Sequence, residues 1–237
     1  MTTKVPNELI EDLVISATNN TGLGETALDS LTTGNFNTAF GQAALTANTE
    51  GEQNNAFGNN ALYANTTGDY NIAIGQAALY SYSSQESNPY QANTAVGRSA
   101  LYSDTTGGHN SALGRLSGWS VTTGTENCFL GALAGYGTDG TGGLTTGSNN
   151  IIIGYASLPS AVGVSNEITL GNSSITKFRV PGINVVLKDN GGTPTQGHVL
   201  TVDANGEAGF AAASGGGGLS SDSQQNTVGG TNAGDSF

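Results

Sequence analysis

The chain has little of what supports covalent chemistry, disulfide bonding or a thick hydrophobic core. Its 237 residues include one cysteine, one methionine, one tryptophan and five prolines, and only 36% are apolar. Cys128 cannot form an intramolecular disulfide, and we interpret it as a tolerated small residue. No stretch approaches the ~18 apolar residues of a membrane span, and the N-terminus lacks a basic-then-apolar signal sequence. We therefore expect a soluble chain, made in the cytoplasm, without one thick core.

Positive charge is also scarce. Six lysines and arginines stand against 18 aspartates and glutamates, which gives a net charge of −12. This balance argues against nucleic acid and against anionic lipid as partners. No nucleophile motif, no recurring carboxylate pair and no pair of nearby histidines is present, so we predict no enzymatic activity and no cofactor. The loop from Gly135 to Gly140 holds one carboxylate, whereas calcium takes about six to eight oxygens, so no metal is predicted.

What the chain does have is a repeat of 17 residues, Asn-x-Ala-apolar-Gly-x-x-Ala-Leu-aromatic-x-x-Thr-Thr-Gly-x-x. Its first glycine recurs at Gly24, Gly41, Gly58, Gly75, Gly97, Gly114, Gly131, Gly154 and Gly171. Two intervals are longer, by 5 and 6 residues, and the excess lies in Ser81–Ala92 and Gly137–Leu144. A short repeat in constant phase predicts a solenoid, and the two insertions are predicted to be loops extruded from it.

Each coil is predicted to hold two strands of about four residues, so the fold class is all-β, a parallel β-roll. In the fourth coil these runs are Asn71–Gly75 and Ala77–Tyr80. The closing glycine of each coil, such as Gly68, is predicted to form a turn with positive φ, like the first glycine.

Alternation along the first run places its large and small apolar residues on opposite faces. We predict that the large residue, such as Ile74, fills the inside of the roll together with leucines such as Leu79. The alanine before it, such as Ala73, is predicted to let a neighbouring chain approach closely. Because a thin solenoid completes its core by association, we predict a parallel homotrimer, intertwined or side by side.

Two other positions of the repeat predict columns of side chains along the solenoid. The asparagine that opens each coil is predicted to form a hydrogen-bonded structural ladder. Its members are Asn37, Asn54, Asn71, Asn93, Asn110, Asn127 and Asn150. The second column is an aromatic row of Tyr63, Tyr80, Tyr102, Trp119 and Tyr136. We interpret this row as coil-to-coil stacking, with the binding of sugar rings as the open alternative.

The first insertion departs from the repeat, so solenoid packing does not explain its residues. We predict that it forms a contact loop, and a partner protein and a receptor are equally open as its target. The residues predicted for this contact are Tyr82, Glu86, Pro89 and Tyr90.

Residues 1–19 precede the repeat and are predicted to form a short helix that begins near Pro6. Two interpretations are open: a cap over the first coil, or a segment that attaches the solenoid to something larger. The residues predicted for attachment are Val5, Leu9, Ile10 and Leu13, and the predicted helix places Leu9, Ile10, Leu13 and Val14 on one face.

The repeat array is predicted to span residues 20–175 and to be followed by a small β module. Strands are predicted at Ile183–Lys188 and His198–Asp203, with turns at glycine-rich steps. The predicted segments are the module at 176–213, a Gly/Ser linker at 214–225 and the start of a second array at 226–237. We therefore expect a longer natural chain.

The Asn-x-Ala-Ile-Gly core of the coil resembles the head repeats of trimeric autotransporter adhesins. The longer unit with Ala-Leu-Tyr and Thr-Thr-Gly, as in Asn54–Tyr70, is similar to phage tail fibres, notably those of cyanobacterial phages. Segments at Asn166–Ile175 and Gly197–Asp203 also resemble phage fibres, so the resemblance covers residues 20–213. It implies a left-handed parallel β-roll, a trimer, and a virion appendage joined to the tail by its N-terminal end.

The expected function is thus that of a structural virion protein that extends toward the host surface for adhesion. Its expected partners are itself, a tail or baseplate protein held by residues 1–19, and host surface polysaccharide. A glycan-binding adhesin and a glycan-cleaving tailspike are the alternatives. The same roll serves as spacer or as receptor binder, because a fold does not fix a function.

Overall fold

The structure of the chain is a computed structural model. It describes residues 19–83, 92–137 and 142–177 with their side chains, together with the backbone of five short strands outside these ranges. The chain divides into two compact units, Met1–Lys177 and Phe178–Phe237.

The first unit is a parallel β-solenoid, which confirms the predicted fold class. Ten strands form one sheet in chain order, with nine of them, β2 to β10, parallel and in register. The strands are β1 Leu13–Ile15, β2 Thr21–Leu23, β3 Thr38–Phe40, β4 Asn55–Phe57, β5 Ile72–Ile74, β6 Thr94–Val96, β7 Ser111–Leu113, β8 Cys128–Leu130, β9 Ile151–Ile153 and β10 Ile168–Leu170. Each described coil therefore contributes one strand of three residues.

The prediction of two strands per coil was wrong. The second run turns in every coil, because non-glycine residues such as Ala77 and Leu79 adopt left-handed backbone conformations, with φ of 54° and 50°. Its backbone still bonds from coil to coil, as where the Leu62 N–H donates to the Ala78 carbonyl over 3.0 Å. The solenoid thus keeps its hydrogen bonds along the axis without a second sheet.

Both glycines of a coil lie close to the next coil, but they differ in backbone conformation. At Gly58, φ is +141° and a Cβ would lie 2.6 Å from the carbonyl carbon of Gly75 in the next coil. Gly51, one of the closing glycines, lies outside the left-handed region, but a Cβ there would lie 2.5 Å from the Gly68 carbonyl oxygen. The predicted positive φ of the closing glycines is therefore wrong at Gly51, where close coil stacking demands glycine instead.

The two faces of each strand are the reverse of the prediction. The middle residue of the strand points inward: Ala73 is fully buried, as are its in-register neighbours Ala56 and Ala95. The large residue points outward, and Ile74 is 42% exposed. The leucines of the turn, such as Leu79, fill the narrow interior as predicted, and the strands beside these leucines carry alanine at the inward position.

The predicted N-terminal helix is wrong in the part that the structure describes. Leu13 and Val14 lie in β1, which pairs antiparallel with β2 through Leu13↔Leu23. The other predicted attachment residues, Val5, Leu9 and Ile10, lie outside the described residues.

The second unit contains two antiparallel strand pairs, β11 His198–Val202 with β12 Ala208–Ala212, and β13 Ser220–Ser221 with β14 Thr227–Val228. The strand predicted at His198–Asp203 is present as β11. The one predicted at Ile183–Lys188 falls outside the described residues. β14 lies in the predicted second repeat array, but it pairs antiparallel, unlike the coils of the first unit.

Candidate functional site

The main candidate site is a row of outward apolar side chains on the sheet, which we call the outer apolar column. Because the strands are in register, the third residue of each strand lies above its equivalent in the next coil. The column consists of Leu23, Phe40, Phe57, Ile74, Val96, Leu113, Leu130, Ile153 and Leu170. Phe40 and Phe57 stack with their ring centroids 5.3 Å apart, and Leu113 is 52% exposed. No residue that the structure describes covers this column.

The first strand position widens the same face. Ile72, Ile151 and Ile168 are exposed beside the column, and Cys128 occupies the equivalent position as a free, exposed thiol. Contiguous apolar surface of this kind on a soluble protein marks an interaction site. The predicted face for a neighbouring chain, the alanine row, is buried inside the coils and unavailable for contact.

The predicted asparagines form one buried column, which begins one coil earlier at Asn20. Each side-chain oxygen accepts the backbone N–H of the next asparagine, as from Asn71 N–H to Asn54 Oδ1 over 2.9 Å. The side-chain amide of Asn54 also donates to the carbonyl of its own closing glycine, Gly68, over 2.7 Å. The column ends where the Glu167 N–H donates to Asn150 Oδ1. Because these amides are bonded inside the solenoid, we assign them to structure.

The predicted aromatic row is a continuous stack. Tyr80 lies between Tyr63 and Tyr102, with centroid distances of 4.9 and 5.0 Å and planes within 5° of parallel. Trp119 stacks on Tyr102 and meets Tyr136 edge to face. A sugar binds to the face of an aromatic ring, and both faces of Tyr80 are covered by its neighbours. The geometry therefore favours the packing interpretation.

Tyr82 is not a contact residue, which corrects the prediction for the first insertion. Its side chain is fully buried, and its hydroxyl is hydrogen-bonded to the Asn71 side chain. Burial, followed by the nearby charge of Asp104, raises the pKa of the Tyr82 phenol. The other residues of the predicted contact loop, Glu86, Pro89 and Tyr90, lie outside the described residues.

Asp104 is a buried carboxyl group that the sequence prediction missed. It occupies the interior position held by Asn48 and Asn65 in earlier coils, where those amides bond to each other over 2.8 Å. The Gly107 N–H donates to Asp104 Oδ1 over 2.7 Å, and Asn110 Nδ2 donates to Oδ2 over 3.4 Å. Burial outweighs these bonds and raises the pKa of Asp104 to about 7.

We expect Asp104→Asn to stabilise the protein at pH 8 and to flatten its pH dependence. A carboxyl whose pKa rises from 3.8 unfolded to about 7 folded makes unfolding easier as pH rises between those values. The predicted gain at pH 8 is a few kcal/mol in the free energy of unfolding, measured from denaturant midpoints at pH 5 and pH 8. The reciprocal variant Asn65→Asp should acquire the same pH dependence. Parallel pH profiles for wild type and Asp104→Asn would contradict the assignment.

The two histidines and any metal-binding cluster are the remaining candidates. His109 is exposed on the solenoid, and His198 belongs to the second unit. Among the described residues no group of three or more histidine, cysteine or carboxylate side chains is placed to hold a metal ion. In the same ranges no helix is long and apolar enough to cross a bilayer.

The described residues of the first unit form a parallel β-solenoid with an exposed apolar face on its sheet. Comparisons with protein-family models, with curated proteins and with solved structures find no match to this chain.

Proposed function

We propose that the chain is a structural segment of a phage tail fibre that assembles as a parallel homotrimer. The observation that carries this proposal is the outer apolar column, which runs without interruption from Leu23 to Leu170. A single solenoid leaves this column in water, whereas association buries it. The activity proposed is positioning, without chemistry.

A second copy of the same chain is the partner that fits the column best. The coils of every copy have the same spacing, so apolar residues of parallel copies lie at the same heights over nine strands. If the copies are related by a rotation axis that runs alongside the sheet, every copy buries its outer apolar column and the assembly is closed. The resemblance of the repeat to trimeric autotransporter heads and to phage fibres supports three copies.

The virion location rests on the same sequence resemblance. In this proposal the chain is made in the host cytoplasm, residues 1–19 join it to a tail or baseplate protein, and the other end extends toward the host. Within this segment, β1 pairs Leu13–Ile15 with the strand of the first coil. Host surface polysaccharide is the proposed target of the fibre. The aromatic stack is not proposed as its binding site, since neighbouring rings cover its faces.

Two measurements test the proposal. Light scattering of the purified chain, with and without residues 1–19, is expected to give three times the mass of the chain measured, which is 23.7 kDa for the full chain. A monomer would contradict the assembly. Immunogold labelling of virions from the source phage with antibody to the chain is expected to mark the tail. Label on the bacterial envelope instead would favour the secreted adhesin.

A further inference from the structure

The residue after the first glycine of each coil forms a polar column beside the sheet. Its first six members are Glu25, Gln42, Asn59, Gln76, Arg98 and Arg115. In the early coils the side chains of this column form hydrogen bonds with one another. Gln42 Nε2 donates to Glu25 Oε2 over 2.8 Å, and Asn59 Nδ2 donates to Gln42 Oε1 over 3.1 Å. Amides can continue such a chain because each has both a donor and an acceptor.

The chain of bonds cannot continue through the two arginines. A guanidinium has only donors, so Arg98 and Arg115 cannot bond to each other, and their like charges repel. They lie on neighbouring coils, where the Leu116 N–H donates to the Arg98 carbonyl over 2.9 Å. Both are exposed, and no carboxylate among the described residues pairs with either.

The placement of this charge is unusual for the chain. Between Lys4 and Lys177 the sequence has no other lysine or arginine, although the net charge is −12. Arg98 and Arg115 thus place two exposed positive charges on neighbouring coils of an acidic protein. Guanidinium groups take carboxylate, sulfate and phosphate oxygens through paired hydrogen bonds.

We propose that Arg98 and Arg115 bind the anionic groups of an acidic surface polysaccharide. The two side chains follow the solenoid axis at a coil spacing of about 4.8 Å, which suits a linear polymer with repeated carboxylates or sulfates. Gln76, exposed one coil earlier, extends the strip of donors. A nucleic acid is disfavoured, because it needs a longer basic path than two residues in a chain of this charge. The inference rests on the proposed function, since it names the class of host ligand.

The test measures binding of the full chain to immobilised alginate, dextran sulfate and neutral dextran by biolayer interferometry at low salt. We expect binding to at least one anionic polymer and none to neutral dextran. Arg98→Gln and Arg115→Gln should each weaken binding about tenfold, as expected for loss of charge-assisted hydrogen bonds. Arg98→Lys with Arg115→Lys should weaken it less, because charge is kept while the paired geometry is lost.

Lys177→Gln is the matched control, because it removes one positive charge from an exposed position away from the pair. It should change binding less than twofold. No binding to either anionic polymer, or an equal loss in Lys177→Gln, would overturn the proposal. So would a fall in the light-scattering mass of Arg98→Gln/Arg115→Gln, since the pair would then contact another copy. A monomeric wild type that still binds through the arginines would refute the trimer alone.

Discussion

Replacing Ala73 by phenylalanine is expected to destabilise the solenoid severely. Ala73 is fully buried inside its coil, between Ala56 and Ala95 of the neighbouring coils. Leu62 and Leu79 fill the space opposite. Overpacking a close-packed interior costs ~1–3 kcal/mol and occasionally more, and this thin interior has little room to relax. We expect a loss of about 3 kcal/mol or more in the free energy of unfolding, measured by denaturant titration with circular dichroism.

The chain supplies the matched rescue for this variant. Phe129 occupies the position of Ala73 in a later coil, and glycines replace the leucines around it. A Cβ on Gly135 would lie 2.4 Å from the Phe129 ring, and one on Gly118 would lie 3.0 Å from it. Leu62 and Leu79 have positive φ like those glycines, so glycine fits their backbone.

We therefore expect Leu62→Gly and Leu79→Gly to recover much of the stability lost in Ala73→Phe, although each lowers stability in the wild-type background. If the effect of the leucine substitutions on stability changes sign in the Ala73→Phe background, the three sites are in contact. Ala73→Phe with wild-type stability, or no recovery in the triple variant, would show that the alanine column is not the inside of the roll.

The solenoid and its ladder were predictable because repetition ties the residue to its position. Seven asparagines in one phase have no simpler explanation than stacking, and the structure bonds each to the next coil. The number of strands was not predictable in the same way. Ala77 and Leu79 adopt the left-handed conformation, which residues other than glycine seldom adopt. A pattern of apolar residues does not reveal this backbone choice.

Alternation along the strand identified two faces but not which one lies inside. Size decides the question: with the turn leucines already in the interior, the strand has room only for alanine. The sequence holds evidence for this at Phe129. Where phenylalanine replaces alanine on the strand, Gly118 and Gly135 replace the turn leucines, and the Phe129 ring occupies the space that those leucines would fill. The burial of Tyr82 and of Asp104 was missed for the opposite reason, since each replaces the residue that the repeat has at its position.

Ile74→Asp is expected to separate the proposed trimer into folded monomers. Ile74 points outward between Phe57 and Val96 in the outer apolar column, so the carboxylate stays in water in a single solenoid. In the proposed trimer three such charges would be buried near the axis, at a cost of about 3 kcal/mol or more per chain. Light scattering should therefore show one third of the wild-type mass, with an unchanged far-ultraviolet circular dichroism spectrum.

Thr123→Asp is the control. It adds the same charge at an exposed position off the sheet and should keep the wild-type mass. If the Ile74→Asp variant stayed trimeric, the outer apolar column would not be part of the interface. If the variant unfolded, Ile74 would have to lie in the interior of the roll.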